Sequence, residues 1–227
     1  MHPITPRPAR RALVAAVTVP VMLVAGCTSD SGGEDSAGAS SASTAASRPE
    51  AVKYAKVPEA CRTVGEKTVE DVVPGVDDAS GKELNSSDTG SYSACLWSGS
   101  SGDLGGKYRA LTVSLRRFES DNSLGTGDER AGRFLTQEAE SVQKDDTNKD
   151  PVESGLDGLG QEAVGVTYET EKKNDTYRAT RVVVRDHNVV ATVDYEGAGF
   201  EDADPPSRDE VRKNAEKVAK EATAAIG

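Results

Sequence analysis

Tyr177-Arg178-Ala179-Thr180-Arg181-Val182-Val183-Val184-Arg185-Asp186-His187-Asn188-Val189-Val190-Ala191-Thr192-Val193-Asp194-Tyr195 decides the fold of this chain. Two runs rich in β-branched residues flank a polar turn at Asp186-His187-Asn188, which predicts strands over 177–185 and 189–195. On the second strand Val189, Ala191, Val193 and Tyr195 share one face, the period of a half-buried strand. A turn this short forces the two strands to run antiparallel.

Working outward, residues 162–169 place Val164, Val166 and Tyr168 at the same period, and 171–176 read as a polar connector. Residues 108–118 alternate Leu111, Val113 and Leu115 with Thr112, Ser114 and Arg116, so one face is buried and the other wet. Residues 92–98 read as a further strand carrying Cys95 and the single tryptophan, Trp97. A first helix, 58–73, opens on Pro58, is weakened at Gly65 and Thr68, and stops at Pro74-Gly75. A second begins at Thr126, in capping-box spacing with Glu129, and aligns Ala131, Leu135, Ala139 and Val142. The last follows Pro205-Pro206, with Ser207 and Glu210 as a second capping box and Val211, Ala215, Val218, Ala222 and Ile226 in line. Residues 74–90 and 144–151 read as polar loops. Helices with one apolar stripe must lie on a sheet face. The expected class is therefore α+β: an antiparallel sheet of about five strands packed by two to three helices, with one disulfide.

The amino terminus sets the location. Residues 1–26 hold Arg7, Arg10 and Arg11 and no acid, followed by an apolar run of about 14 residues that Pro20 interrupts. That is too short to span a bilayer comfortably and suits a cleaved export signal. Val24-Ala25-Gly26-Cys27 matches the bacterial lipobox, in which Cys27 receives a diacylglyceryl group. Two acyl chains, at about 0.8 kcal/mol per buried methylene, make a durable anchor. Residues 27–53 form the lipidated cysteine and a Ser/Gly/Ala tether too polar to order itself. Residues 54–227 form one globular domain. The protein is thus expected on the extracytoplasmic face of the cell membrane, lipid-anchored.

With 27 basic and 38 acidic residues the net charge is −11, and removal of the three leader arginines leaves −14. Such a chain is not drawn to nucleic acid. Its expected partners are the membrane, through the anchor, and an envelope ligand or protein; a monomer is expected. After Cys27 only Cys61 and Cys95 remain, an even pair in an oxidising compartment, which reads as a disulfide. The bridge closes a loop of about 35 residues, worth roughly 4 kcal/mol.

The order of lipobox, Ser/Gly tether, Pro58-x-x-Cys61, Cys95-Leu96-Trp97, Gly158-Leu159-Gly160-x-x-Ala163 and the strand from Val182 to Val190 resembles a lipoprotein family of high-GC Gram-positive bacteria, domain of unknown function 3558. It is also similar to extracytoplasmic sensor domains of PsbP-like fold. The resemblance covers about residues 54–227. It implies an exported, membrane-anchored domain with its two cysteines paired, and it brings no catalytic residues. Gln161 departs from the family's more typical Asp.

Parts for an enzyme are scarce. His187 is the single histidine after the leader and sits in a turn; no nucleophile elbow, P-loop or free thiol is present. The glycine-rich stretch 155–160 contains Asp157 and no basic residue, so it repels phosphate. Asp146, Asn148, Asp150 and Asp157 imitate calcium-loop spacing, although Pro151 stands where that loop needs Gly. Trp97, Tyr92 and Tyr108 are candidates for a ligand groove between sheet and helix. No catalytic residue and no cofactor is expected. The expected function is non-catalytic ligand or partner binding; the alternative is a cell-envelope hydrolase using paired carboxylates.

Overall fold

The computed structural model describes residues 49–84, 86–102, 106–200 and 202–227. The export signal, Cys27 and the tether up to residue 48 lie outside the described residues. Three α-helices and one seven-stranded sheet make up the domain: α1 (Glu66–Val72), β1 (Lys82–Glu83), β2 (Tyr92–Ser101), β3 (Lys107–Arg117), α2 (Gly127–Lys144), β4 (Asn148–Gly155), β5 (Glu162–Lys172), β6 (Asp175–Asp186), β7 (Val189–Gly199) and α3 (Arg208–Ala224). The strand order is β1-β2-β3-β7-β6-β5-β4, antiparallel throughout. No helix among the described residues is long and apolar enough to cross a membrane.

The α+β class is as expected, but the sheet has seven strands rather than about five. The two extra strands are both edges. β1 is two residues long. β4 takes up the second half of the 144–151 stretch expected to be a polar loop and runs on to Gly155, and its one large apolar residue, Val152, is 59% exposed. An edge strand is held by backbone hydrogen bonds on one side and needs no apolar alternation, so the pattern that marks inner strands is missing. Pro151, a register shift between Lys149 and Val152, and Asp150 at φ 48° roughen its free edge, which discourages pairing with another chain.

Pairing register fixes the two faces of the sheet. On one face Trp97, Leu111, Val113, Val182, Val184, Val193 and Tyr195 meet Val211, Ala215, Val218, Ala219 and Ala222 of α3 and Val69 and Val72 of α1. The Tyr195 hydroxyl donates to the Val72 carbonyl, which satisfies its one polar atom inside this core. On the other face α2 sets Ala131 and Leu135 on Val183 and Val190, and Ala139 and Val142 on Val166. This is why 182–184 is an unbroken apolar run: that part of β6 is buried on both sides.

The first helix is interrupted, as Gly65 foreshadowed: a 3-10 turn at Ala60–Arg62 precedes α1, with Gly65 as its N-cap. Cys61 in that turn is bonded to Cys95 of β2. The capping box of α2 is complete. That of α3 is only half made. The Ser207 hydroxyl accepts from the Glu210 N–H, but the Glu210 carboxylate reaches instead to Arg109 at 2.8 Å. An almost buried guanidinium is a stronger claimant on that carboxylate than a solvated N–H.

Candidate functional site

α2 covers only part of its face. Over β2, β3 and the near side of β7 the sheet stays open. Three rows of side chains cross this open floor, set by strand register. Tyr92 lies opposite Arg116; Ala94, Ser114 and Thr192 form the next row; Leu96, Thr112, Asp194 and Arg181 form the third. Phe134 and Glu138, one helical turn apart on α2, wall the far side. Apart from Leu96 and the buried Ala94, these residues bound a groove of about 240 Å³.

The charged floor is pre-arranged. Arg181 forks onto Asp194, Nε to Oδ1 at 2.7 Å and an η nitrogen to Oδ2 at 3.1 Å. Its other η nitrogen donates to Glu138 at 3.0 Å. Burial opposes the Arg181 charge, but the Asp194 hydrogen bonds and the Asp194 and Glu138 charges outweigh it and raise its pKa. Beside it, the hydroxyls of Thr112, Ser114 and Thr192 line the groove with no hydrogen-bond partner among the described residues, although Thr192 is only 5% exposed. Each can donate and accept. The Arg116 guanidinium lies over the Tyr92 ring at 5.1 Å and over the Phe134 ring at 5.2 Å.

Of the three aromatics expected to line a groove, only Tyr92 does. Trp97 points to the opposite face, 1% exposed, with Nε1 donating to the Ala79 carbonyl at 3.0 Å. Tyr108 shares the Tyr92 face but lies opposite Ser100, eight residues along β2 and roughly 26 Å away. There it packs with Tyr177 and Phe200, centroids 6.1 and 6.2 Å away, and burial raises its phenol pKa. The calcium-like set is drawn out along an edge strand. Asn148 and Asp150 lie on β4, Asp146 precedes it and Asp157 follows it, and the strand alone spans roughly 23 Å. The Asn148 amide donates to the Val142 carbonyl.

Sequence reading did not single out Arg116, Phe134, Glu138, Arg181 or Asp194. The wet alternation of Thr112, Ser114 and Arg116 was visible, but not what would face it. A larger trough of about 900 Å³ runs beside residues 53–59. Two of its polar groups are engaged, Ser93 with the Ala60 N–H and Tyr54 with Asp186. The smaller groove gathers three unengaged hydroxyls on one floor beside the Arg181–Asp194 fork, which makes it the better candidate on chemistry.

No family model matches the chain, and no curated protein matches it. Among solved structures it is similar to one described as the crystal structure of LpqN involved in cell envelope biogenesis of Mycobacterium tuberculosis, with 14% identity over 66% of this chain and 79% of that one, at a TM-score of 0.34.

Proposed function

We propose that this chain is a lipid-anchored lipoprotein of the extracytoplasmic membrane face, related to the domain of unknown function 3558 family, whose folded domain binds a small polar ligand without catalysis. The observation that carries the binding reading is the row of unengaged hydroxyls, Thr112, Ser114 and Thr192, on a floor already stiffened by the Arg181–Asp194 fork. Groups held in place before a ligand arrives lose little entropy when it binds. The groove is smaller than pockets for drug-sized ligands, about 300–1,000 Å³, which favours one small ring or a terminal unit of something larger. The two groove carboxylates, Glu138 and Asp194, are both bound to Arg181. Both Asp194 oxygens and one Glu138 oxygen accept from that single guanidinium, which favours binding over hydrolysis. The lipobox at Val24 to Cys27 supports the anchored location.

Two measurements test this. Metabolic labelling with a fatty-acid probe is expected to mark the wild type and not Cys27→Ala; equal labelling of both removes the anchor. Native mass spectrometry of the full chain extracted from its own membrane is expected to show a co-purified small mass. Thr192→Leu, which fills the groove, should lose it. A mass that persists in that variant places the ligand elsewhere.

A further inference from the structure

Arg116 is set apart among the charged groups of this domain. Every other arginine among the described residues donates to a carboxylate or a backbone carbonyl. Arg116 makes neither kind of bond. It is exposed and held only by the faces of Tyr92 and Phe134. Each ring face attracts the guanidinium through its π cloud and so orients it without consuming any of its five N–H donors. Held this way at the mouth of a hydroxyl-lined groove, its fork is free for an incoming pair of oxygens.

We infer that Arg116 is the oxyanion receptor of the groove, and that the ligand is a small hydroxylated molecule with a terminal phosphate or carboxylate. This rests on the binding reading of the groove and adds the ligand's charge to it. A guanidinium fork matches two oxygens of either group, and such charge-assisted pairs are about twice as strong as neutral ones. The ligand's hydroxyls would then run along Ser114 and Thr192 toward Thr112. The row holding Asp194 lies roughly 13 Å along β3 from Arg116, beyond the Debye length of about 8 Å at physiological salt. Asp194 therefore does not cancel the attraction at the Arg116 end. It repels an oxyanion placed the other way round, which favours one orientation of the ligand.

The test is an NMR titration of the full chain in detergent micelles, following the Arg116 Nε–H and the Ser114 and Thr192 amides. The probes are glucose, glucose 6-phosphate, glucuronate and inorganic phosphate. A charged sugar is expected to move all three signals and to bind about tenfold or more tighter than glucose. Which of the two does so distinguishes phosphate from carboxylate. Arg116→Gln, an exposed substitution that leaves the core intact, should bring the charged sugars down to the affinity the same variant shows for glucose. Equal binding of glucose and both charged sugars overturns the receptor role and leaves the groove reading standing. So does an Arg116→Gln chain that keeps the charged-sugar advantage. Inorganic phosphate binding as tightly as glucose 6-phosphate overturns the hydroxylated ligand. If no probe moves Ser114 or Thr192, the groove reading falls together with the receptor.

Discussion

Asn188 holds Tyr54 by both of its backbone polar groups. Its Oδ1 accepts from the Tyr54 N–H at 2.9 Å, and its amide donates to the Tyr54 carbonyl at 2.9 Å. The same amide donates to the Phe118 carbonyl at 3.0 Å, and the residue is fully buried. One side chain at the β6–β7 hairpin thus stands in for a neighbouring strand and fastens the segment that enters the domain.

Replacing Asn188 by Ala should therefore be costly. Three hydrogen bonds are lost and buried backbone groups are left unpaired, at roughly 1 kcal/mol each. The expected loss is about 2–4 kcal/mol in urea unfolding. A loss under about 0.5 kcal/mol would mean that the entering segment contributes nothing to the fold.

Gly81 and Gly158 offer a matched pair. Both have positive φ, 79° and 76°. A Cβ on Gly81 would sit 2.4 Å from Trp97 Nε1 and 2.5 Å from Cys95 Sγ, whereas one on Gly158 meets nothing within 4 Å. Gly158→Ala should cost only the backbone strain, about 1–2 kcal/mol. Gly81→Ala adds overpacking of about 1–3 kcal/mol. Thermal melts of the two variants check the ordering; equal losses would dissociate the Trp97 packing from stability.

The Arg181–Asp194 fork should behave as a coupled pair. Both groups are only partly exposed, and the contact is bidentate, so a double-mutant cycle with Arg181→Met and Asp194→Asn should give a coupling of roughly 1–2 kcal/mol, above the exposed-pair range of 0.2–1. Raising salt should reduce it little. A coupling near zero would remove the stiff floor on which the binding reading depends.

Tyr168 predicts an alkaline transition. Burial against α2, with the Asp194 charge adding to it, raises its phenol pKa from 10.0 to about 12. The folded state therefore keeps a proton that the unfolded chain releases. The stabilisation is fully present below pH 10 and is lost as pH climbs through 12, on the order of 2 kcal/mol in all. Urea unfolding across that window should show the decline in wild type and a smaller one in Tyr168→Phe. Parallel slopes in the two proteins would count against it.

Much of the architecture was legible because it is local. The alternation of Leu111, Val113 and Leu115, the α2 stripe, the Thr126 capping box and the Cys61–Cys95 pair each follow from a few neighbouring residues or a parity count, and each stands in the structure. The Ser207–Glu210 box was only half right, since a partner about a hundred residues away, Arg109, took the carboxylate.

The groove depended on more than local pattern. Reading a three-residue turn at 186–188 would place Arg181 opposite Val193. The actual loop is His187-Asn188, with His187 at φ 51° and Asp186 facing Val189. That one-residue difference is what brings Arg181 to Asp194. Residues 148–155 were hidden as a strand because an edge is satisfied by backbone hydrogen bonds, which any side chains allow.

By itself the sequence determined the α+β class and which residues of β3, β5 and β7 share a face. These follow from periodicity and short motifs. Tertiary structure alone decided how far α2 reaches across its face, and so which side chains stay uncovered. That outcome depends on the crossover from β3 through α2 to the far edge of the sheet, and no local spacing along the chain encodes where a helix stops covering a distant strand.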